Sequence, residues 1–234
     1  MLPILRADLL KIKRKWFWFL VFLGPFGVIA LQTVNYGLRY DYLLGLDSDV
    51  WGFLIQNINL FVPLALILGM TILASQLASL EHKQSSWKQL LSLPVRRRDV
   101  FVAKFLVAGM MLAVSCVLLW IGSLALGLGL GFSWESAPLV ALLKNSFYPL
   151  FAGLPVLAIQ NWLSIVVKNQ AGPLSIGIFG AVFSVAGKLP DWVFWKWTLM
   201  TPGENHLPFV GLGILAGLLI IGVGVMDFRR RDIA

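Results

Sequence analysis

Six long apolar runs constrain this chain more than any other feature. They are Trp16–Val34, Trp51–Ala78, Phe101–Leu130, Asn145–Val167, Pro173–Gly187 and Leu207–Met226. A helix rises about 1.5 Å per residue and the hydrocarbon core of a bilayer is about 30 Å thick, so about 20 apolar residues in a row satisfy one crossing. Lipid offers no partner for backbone N–H and C=O groups, which leaves helix as the conformation for such runs. The expected fold is an all-α polytopic membrane protein with six spans. Lys168–Gly172 is only a tight connector, so the fourth and fifth spans form a hairpin, and the fifth is the shortest. Composition agrees, because 59% hydrophobic and 13% charged residues are too apolar a mixture for a soluble domain. Lys11–Lys15 before the first run imitate a signal peptide. That run is long, is interrupted by Pro25 and leads into LQTVNYGLRY without a small-residue cleavage site, so it is read as a retained span.

Charge sets the orientation. Of the 19 Lys and Arg residues, 15 fall at one set of ends and loops: Arg6, Lys11, Lys13–Lys15, Lys83, Lys88, Arg96–Arg98, Lys104, Lys168 and Arg229–Arg231. Arg39, Lys144, Lys188 and Lys196 fall on the other side. The positive-inside bias then places both termini and the Leu80–Val100 loop in the cytoplasm. The same asymmetry accounts for the basic balance without invoking nucleic acid.

The span interiors offer no chemistry. They hold no Asp, Glu, Lys, Arg or His away from their ends, which counts against proton-coupled carriers and intramembrane proteases. His82 and His206 lie on opposite faces and cannot share a metal, and Cys116 is alone, which excludes a disulfide framework and a CxxC knuckle. HExxH and GxSxG are absent, and Gly187–Lys188 lacks the remainder of a P-loop. Gly211-Leu-Gly213-Ile-Leu-Ala216 imitates a dinucleotide fingerprint, but no strand precedes it. No enzyme activity and no cofactor is therefore expected in this chain.

What remains is polar but uncharged. Gln56, Asn57 and Asn59 cluster in the second span, and Gln160 and Asn161 sit in the fourth, downstream of Pro149 and Pro155. These amides suit interhelical hydrogen bonding and equally suit a polar lining met by a cargo. Gly127/Gly131 and Gly213/Gly217 have GxxxG spacing and mark candidate packing faces. On the outer side, residues 189–206 carry Trp192, Trp195 and Trp197 beside Asp191, Lys196 and Glu204. They read as an interfacial element, either an aromatic belt or an outer gate in contact with cargo.

Two short segments are sided. In LEHKQSSWKQLLSLPVRRRDV, Leu80, Trp87, Leu90 and Leu91 share a helical face, and Pro94 ends the helix, which predicts an amphipathic cytoplasmic helix over 80–93. It suits a bed of anionic lipid or a cleft in a cytoplasmic partner, and Trp87 fits either. In residues 1–15, Leu5, Leu9 and Ile12 share a face while Arg6, Lys13 and Arg14 occupy others, which predicts a second interfacial helix on the inner leaflet.

This order of parts resembles an ABC-2 type transporter permease, and within that family the branch of lantibiotic-immunity and bacitracin-export permeases. The residues that carry the resemblance are Leu5–Pro25 and Leu80–Leu106, in particular Glu81, Trp87-Lys88-Gln89-Leu90-Leu91, Pro94-Val95 and Lys104. The resemblance implies that residues 1–234 form one ABC-2 transmembrane domain in the bacterial cell membrane. It implies that the helix after the second span is a coupling helix, with Glu81, His82, Lys83, Trp87, Lys88, Leu90, Leu91 and Pro94 docking a separate ABC ATPase. Two ATPase copies, which hold the ATP and Mg, would serve two permeases, identical or homologous. The cargo implied is an amphipathic peptide taken from the membrane lipids to the outside, which makes Gln56, Asn57, Asn59, Trp192, Trp195 and Trp197 its candidate path. The rival expectation is a permease-like assembly or sensor component that transports nothing.

Overall fold

The structure is a computed structural model, and it describes residues 2–13, 16–83, 96–186, 189–200 and 205–230. Among them the regular elements are helices: α1 (Leu2–Lys13), α2 (Phe17–Leu44), α3 (Val50–Asn59), α4 (Val62–Lys83), α5 (Arg97–Gly129), α6 (Leu139–Ala152), α7 (Leu154–Val166), α8 (Ala171–Ala186) and α9 (Leu207–Arg230), with a 3-10 turn at Lys196–Thr198. By length and apolar composition four segments are able to cross a membrane: Phe17–Leu44, Val50–His82, Arg97–Gly129 and Leu207–Arg230. The pair α6 and α7, bent by 43°, makes a fifth if it counts as one span. The remaining expected span corresponds to α8. Its 16 residues rise about 24 Å, short of the roughly 30 Å of a hydrocarbon core.

Proline explains where these helices bend and where they do not. Pro25 sits inside α2 and removes the bond that the Val21 carbonyl would accept. The Ser115 hydroxyl of α5 donates to that carbonyl at 2.9 Å, so α2 continues, as a side chain can allow in a membrane helix. Among the described residues Pro63 has no such rescue. The chain tightens at Asn59–Val62, where Phe61 N bonds Ile58 O at 3.1 Å, and α3 gives way to α4. Pro149 and Pro155 flank Gly153, and there α6 bends into α7.

The first span was expected to end at Val34, yet α2 runs to Leu44. Its extra turns bury Tyr36 and Leu43 in an apolar cluster with Trp51, Leu54 and Phe132. Packing outweighs the polar look of LQTVNYGLRY, at the expense of one non-helical residue, Arg39 (φ −134°, ψ 32°). The α5 helix ends in a Schellman turn: Gly131 takes φ 87°, Phe132 N bonds Gly127 O and Gly131 N bonds Leu128 O. The expected Gly127/Gly131 packing face is therefore corrected. Gly127 lies under the Trp51 ring, while Gly131 supplies the left-handed cap. Gly213 and Gly217 do form a packing face. A Cβ at Gly213 would stand 2.6 Å from Ala152 Cα, and one at Gly217 2.9 Å from Leu154 Cβ, so α9 presses directly on the α6–α7 bend.

The α4 helix is the centre of the bundle, in contact with α2, α5, α7 and α8. α2 and α9 are peripheral and leave Phe19, Phe22, Phe26, Leu215, Leu218 and Leu219 exposed. α1 packs on α5, but not through the stripe expected from its sequence. Ile4, Asp8 and Ile12 face the protein, while Leu9 is exposed. An acid thus sits in the middle of its buried face.

A buried charge cluster at the loop stem and an amide groove at the α3–α4 break

α4 carries its helix through Glu81 and His82 to Lys83, so the first residues of the expected loop helix continue the second span. Glu81 is 1% exposed and points into the bundle. Lys11 of α1 donates to its Oε1 at 2.8 Å. Lys104 of α5 donates to the same oxygen at 3.3 Å and to the Leu77 carbonyl, also at 3.3 Å. Asp8 Oδ1 completes the group, 3.8 Å from Lys11 and 4.0 Å from Lys104. Two acids and two bases from three helices thus meet where the chain leaves α4. Lys104 is as buried as Glu81, and each compensates a charge that alone would cost several kcal/mol to bury. Burial pushes the Asp8 carboxyl above the usual carboxylate range, with Lys104 and Lys11 pulling it back.

The other side of the stem is held by polar groups. His82 Nε2 lies 3.1 Å from the Ser164 carbonyl, in the last turn of α7, where carbonyls lack helical partners. Gln170 Nε2 donates to the Ser164 carbonyl at 3.0 Å and to the Val167 carbonyl at 2.7 Å. Its Oε1 accepts from Ser75 of α4 at 3.0 Å. The end of α4 is therefore tied at once to α1, α5 and the α7–α8 turn. Lys83 is the last residue of α4, and Trp87, Lys88, Leu90, Leu91 and Pro94 lie outside the described residues.

The amides of the second span separate into different surroundings. Gln56 is exposed, Asn57 is half-buried and Asn59 is buried. Asn59 Nδ2 donates to the Met200 carbonyl, which pins the 189–200 segment to the α3–α4 break. Asn57 donates to Phe53 O at 3.0 Å, and its own carbonyl accepts from Gln32 Nε2 of α2 at 2.8 Å. A groove of about 300 Å³ opens here, lined by Gln56, Asn57, Asn59, Leu60, Leu199 and Met200 among others. Its wall is mostly apolar with three amides set into it.

The three tryptophans do not share one surface. Trp192 is 77% exposed. Trp195 packs over Gly180 of α8, and Trp197 is buried beside Ala152 and Met200 with its Nε1 donating to the Asp191 carbonyl at 2.5 Å. Gln160 and Asn161 are buried in α7.

Residues that sequence reasoning passed over complete both sites. Gln32 and Tyr36 face the second-span amides from α2, and their spacing of four was a usable signal. Asp8 and Lys11 had no such signal, because their role depends on which helix α1 packs against.

Neither a search of curated proteins nor a search of solved structures returned a match. A family model described as ABC-2 family transporter protein does match, over residues 4–184, which takes in α1 through most of α8. With the apolar helices, the match makes this a multi-pass membrane protein. A match over well more than half of the 234 residues settles the family, and the chain belongs to the ABC-2 transporters.

Proposed function

We propose that the chain is the permease subunit of an ABC exporter that moves an amphipathic peptide from the membrane to the outside, powered by a separate ATPase. The observation that carries this reading is the family match over residues 4–184. ATP and Mg reside in the partner, present in two copies that serve two permeases. Both termini and residues 84–95 face the cytoplasm, in keeping with the 15 basic residues on that side. The segment after Lys83 docks the ATPase through Trp87, Leu90 and Leu91.

The buried cluster supports a mechanical role for the loop stem. A push on residues 84–95 arrives at Glu81, and Glu81 is bonded to α1 and paired with α5. The stem therefore moves those helices with it instead of bending alone. The exposed apolar faces of α2 and α8, Phe22 and Phe26 on one and Phe179 and Phe183 on the other, suit a second permease or the acyl chains of lipid. The outer groove suits peptide, because amides pair with a peptide backbone without the hold of a full charge. Of the three amides, Gln56 is the one free to act there, since Asn57 and Asn59 are engaged in holding helices.

The test is ATP hydrolysis by the reconstituted permease–ATPase complex with and without a lantibiotic-type peptide. Stimulation by peptide, reduced by Gln56→Leu with assembly intact, is expected. A complex whose hydrolysis ignores every peptide tried, and that leaves peptide on the side where it was added, favours the non-transporting assembly or sensor.

A further inference from the structure

α2 is gripped in two places and left loose between them. Near its start Phe17 and Val21 pack into one apolar cluster, together with Ile12 of α1. Farther along, Val28, Tyr36 and Leu43 pack into a second cluster. Between the two grips lies a cavity of about 50 Å³, with Leu20, Gly24, Pro25 and Val28 on one wall and α4, α5 and Ser146 of α6 on the others. We infer that α2 is hinged at Pro25 and that this cavity is the space into which the hinge bends.

The proline sets the direction. Its ring crowds the Val21 carbonyl and gives it no N–H. Opening the helix on the ring's side relieves that crowding, which puts Pro25 on the convex side of a bend. Pro25 is buried and lines the cavity, so a bend carries it inward and swings the Phe17 end away from the bundle. The Ser115 hydroxyl of α5 is placed as the pivot. It lies 2.9 Å from the Val21 carbonyl and 3.3 Å from the Met111 carbonyl of its own helix. It has one proton to donate, and Met111 is four residues back, where the Ser115 backbone N–H already serves it. Val21 is therefore the acceptor that needs the hydroxyl. A hydroxyl turns about one bond, so it follows the carbonyl as it tilts and keeps it paired where lipid offers no donor.

The surroundings leave the space free to close. Ser146 is committed to the Leu142 carbonyl at 3.0 Å, and apart from the two serines and Cys116 the described lining is apolar. Such a cavity stays dry, so closing it expels no bound water. Gly24 and Gly27 flank the hinge, and among the described residues nothing stands within 4 Å of where their Cβ atoms would be, so neither position wedges α2 against a neighbour. The far half is tied down: Gln32 donates to the Asn57 carbonyl and Tyr40 to the Leu130 carbonyl, both at 2.8 Å. That leaves the half beginning at Phe17 as the part that swings. Because Ile12 shares its cluster, a push through Glu81 and Lys11 reaches this half first. Only that driver rests on the export reading.

The experiment measures distances between spin labels by double electron–electron resonance, on the full chain in detergent micelles, diluted with unlabelled chain, in a Cys116→Ser background. Labels at Trp16→Cys and Met226→Cys report the near half of α2 against α9, and labels at Leu38→Cys and Leu212→Cys report the far half. All four positions are exposed. Trp16 lies about 13 Å along the axis from Pro25, so a proline kink of about 20° moves it by about 4 Å. The Trp16 pair is expected to show two distances and the Leu38 pair one. Closing the cavity removes volume, so pressure should favour the bent form, by about tenfold at about 2 kbar if the whole cavity closes. Cys116→Leu, in place of the Ser, extends a side chain into the cavity, and Pro25→Ala restores the backbone bond to Val21. Each is expected to leave the straight distance alone at every pressure. Ala65→Leu fills the cavity from α4 if Cys116→Leu folds poorly. A single Trp16 distance that pressure leaves unchanged would overturn the hinge, as would two distances that persist in Pro25→Ala or in the filled variant. Equal changes in both pairs would show α2 moving as one rod and overturn it as well. Neither ATPase nor peptide is present, so failure of the export reading leaves this result standing.

Discussion

Replacing Glu81 by Gln keeps the shape of the side chain and removes its charge. It leaves Lys104, 1% exposed, with Asp8 at 4.0 Å as its nearest described carboxylate. Removing one member of a buried pair costs about 3–5 kcal/mol, because an uncompensated charge stays behind. Asp8 compensates in part, so Glu81→Gln is expected near the low end, about 3 kcal/mol. Lys11→Met removes the shorter contact, 2.8 Å, yet its side chain is 40% exposed and water compensates, so about 1 kcal/mol or less is expected. The longer contact should therefore matter more than the shorter one. Glu81→Gln with Lys104→Met removes both buried charges and should recover most of the loss, to within about 1 kcal/mol of wild type. The assay is equilibrium unfolding in mixed detergent micelles, followed by tryptophan fluorescence. A Glu81→Gln variant within about 0.5 kcal/mol of wild type, or a double variant no better than the single, would refute burial as the source of the effect.

Four further outcomes are expected. Gly213→Leu drives a side chain into the Ala152 backbone, 2.6 Å from the first added atom, and should cost about 1–3 kcal/mol or more as α9 is forced off the α6–α7 bend, seen in the same unfolding assay. Asn59→Leu removes the bond to the Met200 carbonyl and should cost about 1–2 kcal/mol while raising the protease sensitivity of residues 189–200 in liposomes. In a Cys116→Ser background, Ser85→Cys and Asp47→Cys should react with an impermeant thiol reagent from opposite sides of the membrane. Reaction of both from outside contradicts the proposed orientation. Native Cys116, 3% exposed, should stay unlabelled without denaturant.

Those features that depend on composition along one helix were legible in the chain itself. Apolar runs marked the long helices, and Gly213 with Gly217 marked a close helix contact, whereas the bend between Pro149 and Pro155 was not read from the single run Asn145–Val167. What depends on a neighbour was not legible. Tyr36 and Leu43 look like loop residues until Trp51 and Phe132 close over them. Lys104 looks like an end-of-span cation until Glu81 draws it inside. Trp195 and Trp197 read as an interfacial rim, but Gly180 and Ala152 leave space for those rings within the protein. In the same way the apolar pattern of α1 grouped Leu9 with Ile12, but Leu9 is exposed and Ile12 is buried, and the pattern gave no sign that Asp8 faces Lys104 of α5.

The most direct test of the whole account is purification of the chain from its native membranes, followed by measurement of the Mg-ATP hydrolysis that accompanies it. An ABC ATPase is expected to co-purify with wild type. Trp87→Ala, which removes the proposed anchor and should cost about 2 kcal/mol or more of docking, is expected to insert normally and lose that hydrolysis. A wild-type chain that purifies intact without any ATPase, or a Trp87→Ala chain that keeps all of it, would contradict the claim that this protein is a permease driven through the segment after Lys83.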